Sequence, residues 1–177
     1  MMKPKNANVF LVGPTGVGKT TAAKQLARHC QKNFCDSDAA ICEHTGMSIA
    51  DIFSQRGEPT FRRIEEAVID KLTKREGVVV AIGAGAVLSQ QTRQRLKKRG
   101  QTVCLQARPQ TLSRHLGQDL EARPLLDGQA LLPTLEAMHK QRAALYHEVA
   151  DINIDVDALS VDQTVAEILK RLEDSDG

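Results

Sequence analysis

The chain has 177 residues, 41% hydrophobic and 26% charged, which suits a single globular domain (1–177) able to bury roughly 70% of its unfolded surface. Twenty-four Lys and Arg against 22 Asp and Glu leave a net charge of +2, which gives no case for nucleic acid or a membrane surface as partner. No apolar run is long enough for a membrane span and no signal peptide is evident, and Cys30, Cys35, Cys42 and Cys104 fit no zinc spacing, so reduced, mostly buried thiols in a cytoplasmic protein are expected.

Residues 1–8 are polar and read as a fraying terminus. Val9-Phe10-Leu11-Val12 reads as a strand buried on both faces. Gly13, Pro14, Thr15, Gly16, Val17, Gly18, Lys19 and Thr20 then fit G-x-x-x-x-G-K-[ST], the phosphate-binding loop. Ala22, Ala23, Leu26, Ala27 and Cys30 recur at helical spacing behind it. Glycines let the backbone turn its N–H groups around phosphate oxygens, and the helix N-terminus adds partial positive charge. Lys19 can reach the terminal phosphates and the Thr20 hydroxyl can ligate Mg²⁺. The expected nucleotide-binding set runs from Gly13 through Thr21.

Phe34-Cys35 reads as a short second strand ending at Asp36-Ser37-Asp38, where open α/β sheets bind ligands. Ser48 caps a short helix reaching Phe53. Gly57-Glu58-Pro59 starts another, with Phe61, Ile64, Val68, Ile69 and Leu72 as its apolar stripe and Arg62, Arg63, Glu65 and Glu66 beside or opposite it. Val78–Ile82 is a third strand, closed by Gly83-Ala84-Gly85, where backbone can approach a ligand. Ser89–Arg99 is a polar helix with a basic, solvated C-terminal end, Thr102–Leu105 a fourth strand, and Pro109 opens the next helix. From Arg114 to about Leu132 the pattern loses periodicity and gains charge, as in a functional lid. Pro133 opens a helix, Ile152–Val156 is a fifth strand, and Ser160–Gln163 is a capping box for the last helix. Strands alternating with helices predict an α/β three-layer sandwich, a five-stranded parallel sheet with helices on both faces. Right-handed crossovers bring the phosphate loop, Asp36–Asp38 and Gly83–Gly85 to one sheet edge.

These residues resemble those of the shikimate kinase family. The resemblance spans nearly the whole chain. It rests on the loop at 13–20, Asp36-Ser37-Asp38, Gly46–Phe53, Gly57-Glu58 with Phe61–Glu65, Gly83–Val87, Arg123-Pro124-Leu125-Leu126, and Arg142 with Tyr146 four residues on. It implies transfer of the ATP γ-phosphate to the 3-hydroxyl of shikimate in aromatic amino acid biosynthesis, on a P-loop kinase fold with a mobile lid. By resemblance Arg62 and Arg142 clamp the shikimate carboxylate, Gly83, Ala84 and Gly85 contact the substrate, and Asp38 accepts from its hydroxyls. Asp36 joins Thr20 at Mg²⁺, Glu65 orients Arg62, and Arg123 in the lid (about 114–132) joins Lys19 at the ATP phosphates. Catalytic roles thus fall to Lys19, Asp38 and Arg123, in a protein expected to act as a monomer.

In two places the chain departs from the family pattern. Ala84 stands where the family usually has a glycine, at a cost of about 1 kcal/mol if that position needs positive φ. Asp155–Ala158 offers no match for the adenine side. Arg62 and Arg142 would also suit another anionic acceptor, so a gluconate or nucleoside monophosphate kinase stays open, as does a non-catalytic ATP-binding module. A switch GTPase would need Asn-Lys-x-Asp, and the chain has no Asn-Lys pair.

Overall fold

The computed structural model describes residues 7–117 and 130–176. Five strands, β1 (Asn8–Val12), β2 (Asn33–Asp36), β3 (Val78–Ala81), β4 (Gly100–Gln106) and β5 (Ile152–Asp155), form one sheet in the order β2-β3-β1-β4-β5. Every pairing is parallel, with Val9 opposite Val79 and Gln101 on its two sides. The period of two decides which layer each strand residue serves. Val9 and Leu11 pack with Val79, Val103 and Leu105 against α1 (Lys19–Cys30), α6 (Pro109–Leu116) and α8 (Val161–Asp176). Phe10 and Val12 pack with Val78 and Val80 against α2 (Ser37–Thr45), α3 (Ile49–Arg56), α4 (Glu58–Thr73) and α5 (Gln90–Arg99). Helix α7 (Leu131–Val149) serves both layers, giving Leu135 to the first and Tyr146 and Val149 to the second.

Local chemistry sets the helix ends. The Ser48 and Ser89 side chains accept from Asp51 N–H and Thr92 N–H as N-caps of α3 and α5. Ser160 and Gln163 bond reciprocally, completing the expected capping box.

The structure corrects several expectations. Helix α2 follows β2 at once, with Asp36 as its N-cap accepting from Ala39 N–H at 3.0 Å. Only Ser37 and Ile41 of this helix are buried, so no apolar stripe announces it. On α4 the buried face includes Glu65, with Ile64 only half-buried. Helix α6 holds through Arg114–Leu116 because Leu112 and Leu116, one turn apart, are both buried. Helix α7 starts at Leu131, with Pro133 in its first turn, where its missing N–H is harmless. The expected lid, 114–132, therefore overlaps helix at both ends, and its residues 118–129, Arg123 included, lie outside the described residues. The basic end of α5 is not simply solvated: Arg93 meets Glu148 at 3.1 Å, and Arg95 and Arg99 meet Asp70 of α4 at 3.2 and 2.8 Å. All four cysteines are free thiols, but only Cys104 is buried.

Candidate active site

The first wall of the site is the loop between β1 and α1. Gly13, Gly16 and Gly18 hold φ of 145°, 84° and 95°, where a side chain would be strained. Lys19 donates to the Gly13 carbonyl at 2.7 Å and the Pro14 carbonyl at 3.0 Å, so its ammonium lies across the loop. The Val17 side chain is buried in the core and does not line the cleft.

The second wall comes from β2, one strand beyond β3. The Thr20 hydroxyl donates to Asp36 Oδ2 at 2.7 Å. A hydroxyl beside a carboxylate is a pair of hard oxygen donors, the type Mg²⁺ takes. Asp38 sits in the first turn of α2, and the Ser37 hydroxyl accepts from Gly83 N–H at 2.8 Å. A cleft of about 300 Å³ results, in which Lys19, Thr20 and Thr21 face Asp36, Asp38 and Ala84.

Several of the residues expected to meet the acceptor converge on the Gly83–Gly85 loop. A methyl on Gly83 would stand 2.8 Å from Asp38 Oδ1 and 3.1 Å from Glu65 Oε2, so two carboxylates close on this one Cα. A methyl on Gly85 would stand 2.7 Å from Arg62 Cζ. Ala84 lies outside the positive-φ region, so the strain its presence could have caused does not arise. Its carbonyl accepts from the Tyr146 hydroxyl at 2.8 Å.

Charge at this end is under tension. Arg62 pairs with Glu65 at 2.8 Å and, at the exposed rim, with Glu58 at 3.3 Å. Burial pushes the Glu65 carboxyl up to about 7 against the opposing pull of Arg62, and the Asp38 charge pushes the same way as burial. Arg142 is 5% exposed. The Nε atoms of Arg62 and Arg142 are both buried and find no partner among the described residues. Burial likewise pushes the Tyr146 phenol up to about 12, against Arg142.

The cleft thus gathers Thr15, Gly16, Gly18, Lys19, Thr20, Thr21, Asp36, Asp38, Gly83 and Ala84 of the expected residues. Arg62, Gly85 and Arg142 do not line it, and Arg62 borders a groove between α4 and α5. Gly13, Pro14 and Val17 shape the loop without lining the cleft. Sequence reading missed His115 and Leu116 of α6. Both line the cleft, with His115 Nδ1 at 3.3 Å from the Gly16 carbonyl. It also missed what the Ser37 and Tyr146 hydroxyls hold. No local pattern marks contacts spanning 99, 46 and 62 positions.

Comparison with known proteins places this arrangement. The family model for shikimate kinase matches residues 15–173. The shikimate kinase of Aliivibrio fischeri is 41% identical over 169 residues, covering 94% of this chain and 96% of that protein. Among solved structures, the shikimate kinase from Acinetobacter baumannii in complex with shikimate superposes with a TM-score of 0.92 at 35% identity, over 95% of this chain and 93% of that one. The shikimate kinase from Bacteroides thetaiotaomicron superposes with a TM-score of 0.87 at 29% identity, over 94% and 98%. With the family model, the sequence identity and the fold all agreeing, the chain belongs to the shikimate kinase family, whose members are ATP- and Mg²⁺-dependent kinases.

Proposed function

We propose that this chain transfers the γ-phosphoryl group of ATP to the 3-hydroxyl of shikimate, in the aromatic amino acid pathway. The observation that carries the reading is the pair Arg62 and Arg142 behind Gly83–Gly85. Arg62 pairs with the buried Glu65 at 2.8 Å, Arg142 is buried within reach of the same carboxylate's field, and the Nε of each guanidinium keeps a buried N–H without a described partner. A buried cation short of partners is costly unless an anion arrives. A carboxylate on the acceptor supplies it, and planar forks suit its two oxygens. The complex of the A. baumannii relative with shikimate supports the same acceptor.

In this reading the loop amides, Gly18 and Lys19 hold the phosphate chain. Thr20 and Asp36 would hold Mg²⁺, which supplies charge neutralisation between phosphate oxygens when bound. Asp38 accepts from the attacking hydroxyl and aligns it. The acceptor oxygen bonds to phosphorus as the bond to the bridging oxygen breaks, and the hydroxyl proton leaves toward Asp38 or water. Such catalysis is mostly alignment and charge stabilisation. Arg123, outside the described residues, is assigned to the phosphates on the family resemblance alone.

We also hold the working unit to be a monomer in the cytoplasm. Val161 is the one large hydrophobic residue classed as exposed among the described residues, which supports a monomer. No helix among them is long and apolar enough to cross a membrane.

A coupled assay with ATP and a panel of shikimate, gluconate, AMP and CMP tests the reading. Shikimate alone should be turned over. Turnover of another acceptor with none of shikimate would overturn it, and ADP binding with no turnover at all would leave a non-catalytic module.

A further inference from the structure

The loop Gly83-Ala84-Gly85 carries no regular ladder of its own, yet it must hold main-chain donors against an acceptor. Two side chains from other elements fasten it. Ser37 accepts from Gly83 N–H at 2.8 Å, and Tyr146 donates to the Ala84 carbonyl at 2.8 Å. The Tyr146 ring is 4% exposed and packed in the second core layer, so the hydroxyl is aimed by a fixed ring. Arg142 lies one turn earlier on the same helix, on the same face.

Every peptide bond among the described residues is trans, and in a trans peptide the carbonyl and the following N–H point to opposite sides. Fixing the Ala84 carbonyl to Tyr146 therefore turns the Gly85 N–H away from Tyr146. That N–H donates to none of the described residues, and Gly85 Cα lies against the Arg62 guanidinium.

We propose that Tyr146 is a positioning residue for the acceptor: its hydroxyl locks the Ala84–Gly85 peptide so that the Gly85 N–H and the Arg142 guanidinium, both anchored through α7, form one anion receptor with Arg62. The inference rests on the proposed acceptor and adds to it a residue that need not touch substrate. Ala84 can replace a glycine here because the tether uses its carbonyl.

Tyr146→Phe keeps the ring and removes the tether. Its KM for shikimate should rise about tenfold, with kcat and the KM for ATP within about twofold of the unaltered protein, the loss expected for one hydrogen bond. A role in packing alone would lower thermal stability without this split. A folded Phe variant with unchanged shikimate KM overturns the inference. Tyr146 is the only tyrosine of the chain, and there is no Trp. Full-length protein grown with 3-fluorotyrosine therefore carries the ¹⁹F label at this position alone. Its resonance should move on adding shikimate and stay in place on adding ADP. If the Phe variant does not fold, this measurement decides, and a resonance indifferent to saturating shikimate overturns the proposal. Absence of shikimate turnover by the unaltered protein would remove the acceptor assignment itself, whereas normal turnover with an unmoved Phe variant removes only the role of Tyr146.

Discussion

The two ends of the cleft are built by different means. The phosphate end is one contiguous segment, Gly13–Thr20, held by its own glycines and by Lys19 bonding back to Gly13 and Pro14. In the proposed reading it works chiefly through main-chain donors and a helix terminus, while Lys19 donates to carbonyls of its own loop. The proposed acceptor end draws on α2, α4, the loop after β3 and α7, and it would work through side chains from three helices together with the main chain of Gly83–Gly85. There, Glu65 is buried between cations and another carboxylate, and two buried guanidinium nitrogens lack described partners. A contiguous site can be stable by itself. An assembled site stays under electrostatic tension that its ligand relieves.

The largest expected effect falls at the phosphate end. Lys19→Ala should lower kcat about 10³-fold or more while leaving the shikimate dissociation constant within about twofold. Calorimetry of shikimate binding alongside kinetics checks this, and an equal loss of shikimate affinity would mean the ends are not separate.

At the acceptor end, Arg62→Lys and Arg142→Lys keep the charge and lose the fork. Each should weaken shikimate by about 1–3 kcal/mol, with ADP binding unmoved. Gly85→Ala belongs with them. Its new methyl meets the tip of a flexible side chain, Arg62, so shikimate KM should rise about tenfold with little change in melting temperature.

The electrostatic tension has its own signature. Glu65 has its carboxyl raised from 4.5 to about 7 in the folded chain, chiefly by burial. The folded state then holds more protons than the unfolded state between those values, so stability falls as pH rises from about 4.5 to about 7. Glu65→Gln cannot titrate and should lose that slope, an effect on the order of 1–3 kcal/mol across the window. Urea unfolding at pH 5 and 7.5 on both proteins measures it, and parallel slopes would show that Glu65 carries no such tension.

The smallest effect is expected at Ala84. Its backbone is not in the positive-φ region, so Ala84→Gly should relieve no strain and change shikimate KM by less than about twofold. A clear gain in stability or affinity would show that the methyl is strained after all.

Much of this could be read from the chain before folding, and the part that could not is of one kind. The strands were legible because Val9–Val12 and Val78–Ala81 are apolar at every position, as burial on both faces demands. The phosphate loop was legible because its ligand set lies within eight residues and its helix supplies the field. Capping by Ser48 and Ser160 needs only three residues of context. Tertiary structure decided the rest. Helix α2 buries only Ser37 and Ile41, and Ser37 is spent on holding Gly83. Glu65 reads as surface charge until α4 docks and shuts it in beside Asp38. Tyr146 reads only as the residue four positions after Arg142 in the family resemblance, with no partner for its hydroxyl, until that hydroxyl meets a carbonyl 62 residues away. Composition and spacing record interactions along a helix or strand, where neighbours are fixed by 3.6 or 2 residues per turn. They carry no record of which distant groups a fold will press together, and the burial of Glu65, the strain-free Ala84 and the tether at Tyr146 are all consequences of that second kind of contact.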